Sequence, residues 1–196
     1  MLGKKAILIG IVLLLTGCIF RAPRAVLSEE ARKTTRLVAL LPVENKSADK
    51  LAPVMFREKI LEELYYKGYP KIPIDLVDMQ LMKLGSAGSD GKSGNASPQV
   101  LGAYLKVDAL LYCTLSESKT SHYLFYAPTS VSASCELRSA KTGEIVWQSS
   151  SGVVEYNFGY SRYDVGRKVA QTYEAVIQEV VNKVMETLPD GPDLSG

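Results

Sequence analysis

Few side chains in this sequence are of a type that does chemistry on its own. There are three thiols, Cys18, Cys113 and Cys135, and one imidazole, His122. A zinc or haem site, or a hydrolase triad, needs several such groups at fixed spacing. No C-x-x-C, H-E-x-x-H or G-x-S-x-G pattern is present, and His122 has no histidine partner at helical spacing. Gly91, Lys92 and Ser93 match the end of a phosphate-binding loop. That loop also requires a glycine five positions before Gly91, where Ser86 stands, with a strand before it and a helix after it. The stretch "GSAGSDGKSGNAS", residues 85–97, therefore reads as a flexible loop. Asp75 and Asp78 lie three apart, a spacing that helix capping and solvation explain as well as any acid–base role. These residues imply no catalytic centre, no metal, no nucleotide and no cofactor, so enzymatic activity is not expected.

Cys18 stands apart because of what precedes it. Lys4 and Lys5 lead into an apolar run from Ala6 to Leu15. A spanning helix wants about 20 apolar residues, so this run is too short and has the layout of a secretory signal. Its end, Leu15, Thr16, Gly17 and Cys18, resembles the lipobox of bacterial lipoproteins. That resemblance implies cleavage before Cys18, a diacylglycerol on its sulfur and an N-acyl chain on the new amino terminus. It makes residues 1–17 a signal peptide and attaches the chain to a membrane. Each buried CH₂ of an acyl chain stabilises attachment by about 0.8 kcal/mol, and two or three chains hold firmly. Ile19, in the position after the lipid-bearing cysteine, implies outer-membrane delivery by the same resemblance, most simply facing the periplasm. Loss of Lys4 and Lys5 leaves 21 basic against 21 acidic residues. A near-neutral chain is no polyanion binder, so nucleic acid is not an expected partner.

Export places the other two thiols where a disulfide persists. In "ALLYCTLSES", Leu111, Cys113 and Leu115 alternate with other residues. In "TSVSASCELRS", Val131, Ala133, Cys135 and Leu137 alternate with Ser130, Ser132, Ser134, Glu136 and Arg138. This period of two predicts half-buried antiparallel strands with both thiols inward. A turn near Leu124 sets Cys113 opposite Cys135. Opposed Cβ atoms lie about 4.5–5.5 Å apart, slightly beyond disulfide range, so a bond with local adjustment and two buried thiols are both open.

Around these strands the elements follow in order. Residues 18–35 form a lipidated tether, and residues 36–188 one domain. Leu37 to Leu41 read as a strand buried on both faces. A helix opens near Pro53, carries Met55, Phe56, Ile60, Leu61 and Leu64, and stops at Gly68. "YPKIPIDLVD" reads as a short edge strand because Pro70 and Pro73 lack N–H donors. A helix over 75–84 with Asp75 as cap comes next, then one from Pro98 capped by Ser97. The two cysteine strands and a third after the Thr142-Gly143 turn make a meander. An amphipathic helix with Val165, Val169, Tyr173, Val176, Ile177, Val180, Val184 and Leu188 on one face closes the domain, and residues 189–196 form a loose tail. The fold class is α/β: a single domain with a mixed sheet, a three-strand antiparallel meander and packed helices, in the order β-α-β-α-α-β-β-β-α.

The stretches "LLPVENKS", "GYPKIPIDLVD", "VDALLYCTL" and "TGEIVWQ" resemble a family of bacterial outer-membrane lipoproteins that includes the genome-derived neisserial antigen lipoprotein. The resemblance spans about residues 36–188. More distantly the layout is similar to the periplasmic domain of the curli secretion channel (CsgG) family and to the TolB amino-terminal domain. These likenesses imply a domain that binds proteins, either other envelope lipoproteins or like subunits.

The residues suited to such binding are aromatic. His122, Tyr123, Leu124, Phe125 and Tyr126 fall at a hairpin end; Tyr156, Phe158, Tyr160 and Tyr163 precede the last helix. Tyrosine joins large apolar area to a polar tip at little rotamer cost. The expected function is that of an envelope assembly or secretion accessory, with regulation of a cell-wall biosynthetic enzyme or a hydrolase activity as alternatives.

Overall fold

The structure is a computed structural model that describes residues 35–85 and 96–192. Its elements are β1 (Val38–Leu40), β2 (Glu44–Asn45), α1 (Ala52–Tyr66), α2 (Ile74–Lys83), α3 (Pro98–Leu105), β3 (Ala109–Thr120), β4 (Tyr126–Ser139), β5 (Ile145–Phe158) and α4 (Arg162–Met185). The sheet order is β1-β3-β4-β5, with β2 beside β3 as well. β1 and β2 run parallel to β3, and β3, β4 and β5 form the antiparallel meander. The α/β class and the meander match the sequence expectation.

Alternation along the strands sorts the core into two clusters. On one face α1 and α4 bury Phe56, Ile60, Leu64, Val176, Ile177 and Val180 against Leu111, Cys113, Val131, Cys135 and Trp147. On the other, α2 and α3 place Val77, Leu81 and Leu101 over Ala39, Leu41 and Leu110. β1 is buried on both faces, as its unbroken apolar run predicts. The second helical layer packs on β1 and the start of β3. The remaining open face of the meander carries Ser130, Ser132 and Ser134 on β4.

One element differs from the expected order. The segment 69–73 is not a strand, and the short β2 stands before α1 instead. Pro73 sits at the N-cap of α2, so Asp75 lies within the first turn rather than capping it. With two prolines in five residues the segment cannot supply a regular ladder of N–H donors. Its backbone is held by the end of α1. There Gly68 has a φ of +86°, its N–H donates to Tyr65 O, and the Tyr69 N–H donates to Leu64 O. This pair of bonds closes the helix with a left-handed residue that glycine adopts without a Cβ penalty.

The start of the expected tail packs on the same corner. The Tyr69 hydroxyl donates to Pro189 O (3.1 Å), Lys67 Nζ to Leu188 O (3.0 Å) and the Gly191 N–H to Lys67 O (2.6 Å). The signal, Cys18, most of the tether, residues 86–95 and residues 193–196 lie outside the described residues.

A polar junction fixes the turn between β2 and α1. Asp49 Oδ1 accepts the N–H groups of Leu51 (2.8 Å) and Ala52 (3.1 Å), which open α1. Asp49 Oδ2 accepts from Ser118 Oγ on β3 (3.2 Å) and from the Tyr173 hydroxyl on α4. Burial alone raises the Asp49 carboxyl, but the bonds from Tyr173, the two amides and Ser118 together hold it below its ordinary value. Burial and the bond to Asp49 push Tyr173 up to about 12. A carboxyl depressed in the folded state contributes stability above its unfolded pKa, near 4, and loses it as pH falls through the folded value. The melting temperature is therefore expected to be flat above about pH 5 and to drop below about pH 4. Asp49→Asn should remove part of that drop. A pH series of thermal melts on both proteins checks this, and identical acid profiles would refute it.

Candidate functional site

The expected aromatic residues converge on one end of the sheet. Three backbone hydrogen bonds shape that end. The Ser121 N–H donates to Pro128 O (3.0 Å) and the Tyr123 N–H to Tyr126 O (2.9 Å), closing the β3–β4 hairpin. The Gly159 N–H then donates to Phe125 O (2.9 Å), which ties the end of β5 to the hairpin tip. The hydroxyls of Thr120 and Thr129 meet at 3.0 Å beneath the tip.

On this frame the rings form a ladder. Tyr123 stacks on Tyr126 with centroids 4.5 Å apart and planes 13° off parallel. Tyr126 lies 6.0 Å from Phe158, and Phe158 lies 6.4 Å from Tyr156. Strand register explains the sequence of contacts, because Tyr126 is directly opposite Phe158 and Pro128 opposite Tyr156. Despite these contacts the patch remains open to water. Leu124, Phe125, Tyr156 and Phe158 are each more than half exposed, at 54, 56, 55 and 61%. Val154, which the sequence reading did not single out, continues the strip at 50%. The alternation of β5 places it on the same face as Tyr156 and Phe158.

Tyr160 and Tyr163 sit on the turn into α4 and are almost wholly exposed. That turn is pinned. Ser161 Oγ accepts the Asp164 N–H (3.2 Å) as the helix cap, and Asp164 accepts from Arg167 (2.9 Å) and the Tyr160 N–H (3.3 Å). The Arg167 guanidinium holds the Asp164 carboxyl below its ordinary value. Gly159 allows the close approach, since a Cβ there would meet the Asp164 carboxylate at 2.7 Å and the Val165 nitrogen at 2.9 Å. His122 is exposed at the hairpin tip.

The two strand cysteines also meet. Cys113 and Cys135 are register partners, buried, and joined by a disulfide. Among the described residues no group of three or more His, Cys, Asp or Glu side chains is placed to hold a metal ion. Asp78, one of the two aspartates three apart, instead pairs with Arg57 through both carboxylate oxygens, each at 2.7 Å.

Large apolar rings held rigidly yet left wet are what a protein-binding surface presents. Fold and surface together define a small α/β domain with a preformed aromatic end. The chain belongs to the GNA1162-like lipoprotein family, whose model, described as "Putative lipoprotein GNA1162-like", matches residues 28–195. Among solved structures it is similar to the lipoprotein GNA1162 from Neisseria meningitidis. The two are 22% identical with a TM-score of 0.57, over 71% of this chain and 96% of that one. It is also similar to the PelC dodecamer from Paraburkholderia phytofirmans, at 13% identity and a TM-score of 0.52, over 82% of this chain and 91% of that one. At these identities both likenesses concern the fold. No curated protein matches the chain in sequence.

Proposed function

We propose that this protein is an outer-membrane lipoprotein, acylated at Cys18, whose periplasmic domain works by binding other envelope proteins as an assembly or secretion accessory. It acts through contact rather than turnover. The observation that carries this reading is the exposed aromatic ladder Tyr123–Tyr126–Phe158–Tyr156 with Leu124 and Phe125 at its tip. Rings in this state contribute large buried area on association at small entropic cost, because the hairpin bonds have already fixed them.

The position of the ladder also suits a partner. The tether joins the domain at Arg36, beside the start of β3, where Asp108 Oδ2 accepts the N–H groups of Arg36 and Leu37 (2.9 Å each). The ladder lies at the far end of β3, about 40 Å away at roughly 3.3 Å per residue, so the chain's own tether does not start over it. Membership of a lipoprotein family supports the anchor, and the dodecamer of PelC supports like subunits as one kind of partner.

A photocrosslinking residue at Tyr123 or Phe125 tests the proposal in intact cells. The expected products are adducts with another envelope protein or a like subunit at native abundance. They should be lost in Cys18→Ser, which should also fail to take up labelled palmitate. Monomer alone from both positions would overturn the binding role.

A further inference from the structure

β5 ends the sheet, and among the described residues no strand pairs with its outer edge. The strand is 14 residues long, with no proline, lysine or arginine and with Glu155 as its one charged residue. Monomeric proteins blunt such an edge with short strands, lysines, prolines or bulges, because a bare row of N–H and C=O groups recruits another strand. The irregularity between β4 and β5 falls at Leu137 and Arg138, near the start of β5, and leaves the rest regular.

Which groups face outward follows from two bonds. The Gly159 N–H points to β4, at Phe125 O, while the Phe158 carbonyl instead accepts Lys168 Nζ (2.7 Å) from α4. Backbone direction alternates along an antiparallel strand. Gln148, Ser150, Gly152, Val154 and Tyr156 therefore turn their N–H and C=O groups to the free edge, and Phe158 offers its N–H there, its carbonyl being taken by Lys168. All six are exposed, while the residues between them are buried or half-buried.

We propose that this edge pairs antiparallel with β5 of a second copy of this chain, about a twofold axis at Val153, joining two sheets into one. The reading that like subunits are among the partners underlies this proposal, which names the surface. The residues themselves pick a second copy as the occupant. The first half of the outward set is small or polar, the second half large and apolar. Antiparallel pairing about Val153 sets Phe158 against Gln148, Tyr156 against Ser150 and Val154 against Gly152, so each large side chain meets a smaller one. Glu155 falls against Ser151, which avoids a like-charge pair. The added ladder would contain about ten backbone hydrogen bonds and would cover the sides of Val154 and Tyr156. The two tethers then start at opposite ends of the pair. Each, at about 17 residues, reaches up to roughly 58 Å, enough for both acyl anchors to enter one bilayer.

The test is sedimentation of the detergent-solubilised full chain, with hydrogen exchange on the same sample. The expected result is a dimer whose Ser150, Gly152, Val154 and Tyr156 amides exchange slowly. Val154→Lys should give a monomer that still unfolds cooperatively but whose melting no longer depends on protein concentration, and Val154→Thr should stay dimeric. A monomeric native chain, a Val154→Lys dimer, or fast exchange of those four amides in the dimer would overturn the edge pairing. Phe125→Ser separates this from the ladder's role: it should keep the dimer while losing adducts with other proteins.

Discussion

Replacing Cys113 and Cys135 together with alanine is expected to lower the unfolding free energy by about 3 kcal/mol, from the loop-closure entropy of a 22-residue separation. The two residues face each other across β3 and β4 in the middle of the sheet, each at most 3% exposed. The native ladder already holds those strands together, so the effect arises chiefly in the unfolded chain, which the bond keeps closed around the aromatic hairpin. For a domain of this size that corresponds to a fall in melting temperature of roughly 6–12 °C. Reduction of the native protein should reproduce the double variant. Single substitutions should cost at least as much, since each leaves a thiol with no partner. Denaturant titration with and without reductant decides it: if reduction leaves the midpoint unchanged, the bond does not stabilise the native domain.

That pair also shows how far the sequence could be read. Alternation of Val131, Ala133, Cys135 and Leu137 with serines fixed the inward face, and a turn near Leu124 fixed the register of 113 with 135. Whether the sulfurs bond depends on a Cβ separation that pattern cannot supply. The aromatic tip was legible only in part: hairpin position marked residues 122–126, but Tyr156 and Phe158 stood out only as preceding the last helix, and it is the β4–β5 register that sets Phe158 opposite Tyr126. The segment at Tyr69 misled. Apolar residues between prolines suggested an edge strand, whereas Pro73 in fact starts a helix.

Long-range polar contacts were not legible at all. "LLPVENKS" stood out only by resemblance, yet its residues build the turn before α1. Val43 enters the core, Glu44 accepts from Thr114 Oγ1 (3.1 Å), and Asn45 Oδ1 accepts the Ser47 N–H (2.9 Å). Asp49, just beyond, joins β3 and α4, 69 and 124 residues away. No periodicity points from Asp49 to Ser118 or Tyr173, since partners so far apart in sequence meet only once the sheet and α4 have packed. The free edge of β5 was hidden likewise: strand order, not strand existence, makes an edge, and order is set by which crossover each helix makes.

The second large effect is expected at Arg57 and Asp78. Arg57 lies on α1 with its side chain 10% exposed, and Asp78 lies on α2 with its side chain 33% exposed. Both guanidinium Nη atoms donate to the Asp78 carboxylate at 2.7 Å, and Nη2 also donates to Leu40 O at 3.1 Å. The bidentate pair thus clasps the edge of β1 between the two helical layers and satisfies a strand carbonyl there. Removing one charge at a time should be unequal. Asp78→Ala leaves a buried guanidinium without its counter-ion and should cost about 2–4 kcal/mol, below the full penalty of a buried pair because Asp78 is a third exposed. Arg57→Met keeps the apolar stem packed and leaves a carboxylate that water can reach, so about 1–2 kcal/mol is expected. The double variant should sit close to Arg57→Met rather than at the sum of the two, because the charge stranded by Asp78→Ala is then gone. Arg57→Lys should not rescue, since an ammonium cannot span both oxygens and the Leu40 carbonyl in one plane. Unfolding free energies for these four variants check the ordering. Equal costs for the two single variants, or simple additivity in the double, would mean that the clasp is not a coupled buried pair.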